Sequence, residues 1–177
     1  ASALPEQSDT EISEEEMIRR NNEELVAAWG NLVQRVFTQI QNNFSKISEI
    51  DEANDVDKKL LKEMSESYEI VGELIEKVEL KASLQESMRY VSKVNGYLNE
   101  TEPWKVIKED EKRAGRILYT ALEAIDSCAN LLYPFMPTTS DLVRLAIPRE
   151  TENLWGLNKI KTGVELKEIG LLFNKFD

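Results

Sequence analysis

The chain has 177 residues, 41% hydrophobic and 31% charged, with 7 Gly and 5 Pro, a balance that suits one helical domain with short tails and not two full domains. It has no histidine and a single cysteine, Cys128, which excludes Ser-His and Cys-His nucleophilic pairs, imidazole acid-base chemistry, an internal disulfide and a multi-thiolate zinc site. The net charge of −11 argues against DNA or any sequence-independent nucleic-acid partner, because such affinity comes mostly from neutralising phosphates.

Residues 1–11 hold a Pro, a Gln and acids with no basic run, and read as a linker, not as a signal peptide. No apolar stretch approaches the length of a membrane span, so no membrane is expected, and the reduced cysteine makes the cytoplasm the natural compartment. Ser13 followed by Glu16 reads as a capping box, with Ile12 and Met17 as its hydrophobic staple, and predicts that a long helix begins there. Leu25, Val26, Trp29, Leu32, Val33, Val36, Phe37, Ile40 and Phe44 recur every three or four residues and mark its buried face. Asn31, Arg35, Thr38 and Asn42 line up on another face, outside that stripe.

After an acidic break at 48–55, a second helix is expected over about 56–78 on Leu60, Leu61, Met64, Tyr68, Val71, Leu74 and Ile75. A third follows over about 80–98, and Asn99 to Thr101 reads as the break after it. Pro103 then suits the first position of a short helix, with Thr101 or Glu102 as its cap, and puts Trp104 beside a turn. A longer helix runs through Ile117, Leu122, Ile125, Cys128 and Leu132 until Pro134 and Pro137 stop it, and another starts at Thr138 or Thr139 and ends by Ile147. The bundle is thus expected over 12–147, all-α, with five or six antiparallel helices, and 148–177 as an irregular tail that docks back onto something.

Acids dominate Glu6 to Glu24 and Glu49 to Glu79, whereas Lys and Arg outnumber them from Lys81 to Thr120, so an RNA surface would be local and on the side of Trp104. Asn31 and Arg35 sit one helical turn apart, and an amide with a guanidinium fork can read a base edge and hold its sugar or phosphate. By periodicity alone the commoner reading is an ordinary helix surface, with the Arg paired to a carboxylate. Trp104 likewise either stacks on a splayed base or plugs a gap between helices. Trp29 lies on the apolar stripe and reads as core, Trp155 as an anchor for the tail, and Cys128 as an inert buried thiol. Glu14-Glu15-Glu16 and Glu109-Asp110-Glu111 read as solvated helix starts that complement the macrodipole, with no metal site and no catalytic constellation.

Three stretches resemble the methionyl-tRNA synthetase family in the helical domain that follows its catalytic core. Arg19 to Arg35 is similar to the first bundle helix with its Asn-Leu-x-x-Arg core, Val94 to Trp104 to an Asn-x-Tyr followed by an acidic turn and Pro-Trp, and Leu131 to Pro137 to a Leu-rich helix ending in Pro-Phe-x-Pro. The resemblance implies a helical bundle of the class I synthetase anticodon-binding type. It also implies that Asn31, Arg35 and Trp104 contact anticodon bases of tRNA-Met, the Trp stacking beneath the wobble cytosine. The tail would pack toward a catalytic domain of the same polypeptide, where ATP and methionine would bind; the ending Leu172-Phe173-Asn174-Lys175-Phe176 departs from the family's Leu-Phe-Pro-Arg. The bundle itself would be non-catalytic, with no cofactor, because the His-x-Gly-His and Lys-x-x-Lys-Ser motifs of a class I synthetase are missing from it. Bundles for cysteine, valine, leucine or isoleucine synthetases, and a protein-binding scaffold without RNA, are the alternatives.

Overall fold

The computed structural model describes residues 13–47 and 52–174. A helical rod begins with α1 (Glu14–Arg20), continues through a π-helical stretch (Asn21–Gly30) and ends as α2 (Asn31–Phe44). Gly30 joins the last two in ordinary helical geometry. The single regular helix expected from residue 13 is therefore interrupted by wider turns, and these rotate the apolar stripe. Leu25 and Val26 are only half-buried, while Trp29, Leu32, Val33, Val36, Phe37 and Ile40 are buried in the core. Ile12 of the expected staple and the Glu16 side chain of the capping box lie outside the described residues.

Helix α3 (Asp55–Glu76) carries the capping box: the Asn54 side chain accepts from the backbone of Val56 and Asp57, and Asp57 accepts in return from the Asn54 amide. Helix α4 (Leu80–Thr101) runs three residues beyond the expected boundary. The break read at Asn99 to Thr101 is helical because Thr101 bonds its hydroxyl back to the Tyr97 carbonyl, a partner available only inside a helix. The chain turns instead at Glu102, a non-glycine residue in the left-handed region at φ 42°, ψ 57°. That one residue ends α4 and leads directly into the short helix α5 (Pro103–Val106), with Pro103 at its start. The Glu102 side chain caps nothing and pairs with Lys105.

Helix α6 (Glu111–Leu132) is the central element. Asp110 caps it by accepting from the Arg113 amide, and nearly every residue from Ala114 to Leu132 is buried, as in a helix enclosed on all sides. α2, α3, α4 and α5 pack around it, and α7 (Pro137–Ala146) closes another flank. Pro137 begins α7 rather than merely stopping α6.

Two of the polar groups that α6 buries, Asp126 and Ser127, are partnered, whereas Arg116 Nε, Thr120 Oγ1 and Asn130 Oδ1 are not. The Ser127 hydroxyl donates to the Tyr68 hydroxyl at 2.8 Å, and Asp126 accepts from Arg149 at 2.6 Å and from Asn158 at 2.9 Å. Those last two partners belong to the segment after α7, which packs on the bundle. The Ile47 amide donates to the Val164 carbonyl and the Ile47 carbonyl accepts from the Gly163 amide, Tyr119 bonds both backbone groups of Ile160, and Ile160, Leu166 and Leu172 join the core. Trp155 donates to the Tyr68 carbonyl at 3.0 Å and lies edge-on to the Tyr68 ring, so it anchors this segment. Among the described residues the only β pairing is an isolated bridge between Arg149 and Ile160.

Candidate nucleic-acid interface

Asn31 is the first residue of α2, and Arg35 follows one turn later on the same face. Trp104 comes from a different part of the chain, the second residue of α5, and its indole is half-buried against the core. Two of the three expected residues meet directly: the Arg35 guanidinium lies over the Trp104 ring, 5.7 Å from its centroid. Asn31, one turn before Arg35, is open to solvent. Trp29, by contrast, is fully buried, and burial pushes the Cys128 thiol up, as befits an inert core residue.

Arg35 is held by a neutral partner. Its Nη2 donates to Asn95 Oδ1 at 3.1 Å, and the Asn95 amide nitrogen donates to the carbonyls of Ala28 at 3.1 Å and Val91 at 3.2 Å. Arg35 Nε is buried with no hydrogen-bond partner, and burial lowers the Arg35 pKa from its ordinary value.

Five of the six other arginines whose side chains are described are in ion pairs instead. Arg19 pairs with Glu23, Arg89 with Glu86, Arg113 with Asp57, Arg144 with Asp141 and Arg149 with Asp126. Arg116 shares with Arg35 an aromatic cover, the Tyr119 ring, and an unpartnered Nε, but it is buried in α6 where Arg35 is half-buried. The expected surface ion pair is thus not what Arg35 makes; its charge is positioned and left uncompensated.

The local basic excess is smaller in space than in sequence. Lys93 pairs with Glu63 and Lys105 with Glu102, besides the arginine pairs on Arg89 and Arg113. A ligand therefore meets few free cations here, and Arg35 with Trp104 forms the most specific feature. Asn95, which holds Arg35, carries no role in the sequence reading although it lies in the quoted Asn-x-Tyr stretch. The available signal is its type: an Asn in a helix interior forgoes helix propensity and needs a tertiary partner.

The model of the family described as the anticodon binding domain of methionyl tRNA ligase matches residues 47–177. The chain belongs to that family. The neighbouring family of class I tRNA synthetases (M) matches residues 1–37, a range that includes Asn31 and Arg35. A methionine–tRNA ligase of Chloroflexus aggregans is 44% identical over 138 residues, covering 78% of this chain and 23% of the relative. One from Bifidobacterium longum is 40% identical over 169 residues, covering 94% of this chain and 26% of the relative. The chain thus spans about a quarter of the length of these curated relatives. The fold is that of the Mycobacterium tuberculosis methionyl-tRNA synthetase in its free state, with a TM-score of 0.88 at 22% identity over 99% of this chain and 37% of that one. The same enzyme in complex with methionyl-adenylate gives 0.86 at 23% identity over 96% and 35%.

Proposed function

We propose that this domain reads the anticodon of tRNA-Met, with one unpaired base stacked on Trp104 and its edge bonded by Arg35 and Asn31. The observation that supports this best is the uncompensated guanidinium set against an indole: a charged fork and a stacking face are the two chemistries that single-stranded RNA readout uses together. Membership of the anticodon-binding family of methionyl tRNA ligase supplies the amino acid. In the whole enzyme a catalytic domain of the same polypeptide would bind ATP and methionine in the cytoplasm and charge the tRNA that this domain selects. The bundle contributes recognition, not chemistry.

Indole fluorescence titrated with a methionine anticodon stem-loop at low salt tests the reading. The cognate loop should change the emission, a loop with a substituted wobble base should do so only at much higher concentration, and a Trp104→Ala chain should lose most of the response. An equal response to both loops would leave the domain an RNA binder without anticodon readout. No response to either would favour a protein-binding scaffold.

A further inference from the structure

We infer that Asn95 is the positioning residue of this site, an amide whose orientation is fixed by the backbone so that it holds Arg35 beside Trp104 without cancelling its charge. The two ends of an amide are distinguished here by what they face. Carbonyl oxygens only accept, so the nitrogen must be the atom facing Ala28 and Val91, and Oδ1 is left pointing at Arg35. The amide has no alternative pose that keeps these bonds.

Its place in the chain gives that bond leverage. Ala28 lies just before α2, which carries Arg35, while Val91 and Asn95 lie on α4, which passes through Glu102 straight into Trp104. Asn95 therefore links the two elements that must be in register for a ring and a fork to meet. Tyr97, two residues further along α4 and about 200° around it, bonds Asp57 on the opposite side. The Asn-x-Tyr spacing thus ties α4 to the rod by one residue and to α3 by the other. A carboxylate at position 95 would hold Arg35 as well, but the pair would be neutral to an incoming base or phosphate; an amide holds it and leaves the charge.

The consequence for binding rests on the anticodon reading, whereas the geometry does not, so the test has two arms. In the free wild-type chain, nuclear magnetic resonance should find the Arg35 side-chain protons shifted upfield by the Trp104 ring, assigned by Arg35→Lys and by Trp104→Phe. An ordinary solvent-exposed position for them would overturn the proposal without any variant at residue 95. Asn95→Ala should return them to that ordinary position while the helical circular dichroism is kept; unchanged shifts would overturn the proposal.

The second arm is a double-mutant cycle with the methionine anticodon stem-loop. Asn95→Ala should weaken binding about 3- to 10-fold, Arg35→Ala at least as much, and the double variant no more than Arg35→Ala alone. Losses that multiply would mean that Asn95 acts independently of Arg35, and would overturn the proposal. A wild-type chain that ignores the stem-loop would instead overturn the anticodon reading, with the resonance arm still deciding the role of Asn95.

Discussion

Two guanidiniums that meet residues on or bonded to the last turns of α4 are treated in opposite ways. Arg113 makes a forked ion pair with Asp57, which is fully buried, accepts from the Tyr97 hydroxyl at 2.6 Å and caps the first turn of α3. Arg35, on the other side of α4, receives one neutral oxygen and an aromatic face. The first arrangement satisfies every charge and fastens α3, α4 and α6 together. The second leaves a half-buried charge without a carboxylate partner. The difference teaches that in the closed cluster one guanidinium joins helices by being neutralised, whereas in the open site the other is held in place by a neutral oxygen and keeps its charge uncompensated.

The sharpest way to separate the two is to cut the closed cluster. Asp57→Ala removes the partner of Arg113, the acceptor for Tyr97 and the reciprocal cap at Asn54, and should cost about 3 kcal/mol in urea unfolding, because Arg113 is left half-buried and unpaired. The folded fraction should keep its stem-loop affinity, and a variant that lost affinity but not stability would break the comparison. The same cluster has a pH signature. Burial pushes the Asp57 carboxyl up, but bonds from Arg113, Tyr97 and the Asn54 amide outweigh it and hold the pKa below the ordinary carboxylate value. Its stabilisation is therefore present above that ordinary value and lost as the pH falls through the depressed one.

Cutting the open site should do the reverse. Trp104→Ala should weaken stem-loop binding by about 1 to 3 kcal/mol, the range for stacking of one base, measured by titration of labelled RNA. Its effect on the urea midpoint should be smaller than that of Asp57→Ala, since the indole is only half-buried at the edge of the core. A large drop in stability with no change in binding would make Trp104 a packing residue.

How far these two regions were legible in the sequence follows from the range of the interactions that build them. The stripe Leu32, Val33, Val36, Phe37 and Ile40 was readable because helical spacing is local, and so was Pro103 at a helix start. The left-handed turn at Glu102 was not, since nothing about a glutamate announces a positive φ; the turn is imposed by α4 and α5 packing on the same helix. Asp57 with Arg113 is a contact across 56 positions, and both residues look like ordinary exposed charges when read along the chain. Asn31, Arg35 and Trp104 were picked out through resemblance, whereas Asn95 escaped because its meaning depends on which carbonyls face it. The tail was expected to dock, but that it would bury Ile160, Leu166 and Leu172 in the bundle core is a property of the assembled fold.

Glu123 provides the complementary case, a partly buried carboxylate on α6 without a close ion pair. Burial raises its pKa to about 7, with Arg116, Tyr119 and Lys159 drawing it back only in part and Asp126 adding to the rise. A raised folded-state pKa means the native protein holds a proton that the unfolded chain releases near the ordinary Glu value. The associated stability is therefore fully present below that value and is lost as the pH rises through about 7. Glu123→Gln should abolish that loss, so the variant should gain on the wild type by about 1 kcal/mol between pH 5 and pH 8 in thermal melts. A constant difference across that range would show that Glu123 ionises normally. The contrast with Arg35 is chemical: a carboxylate desolvated by burial sheds its charge near neutral pH, but a guanidinium does not. An uncompensated arginine on a rigid helix thus remains charged throughout the working range, and that makes it usable for recognition where a half-buried glutamate would not be.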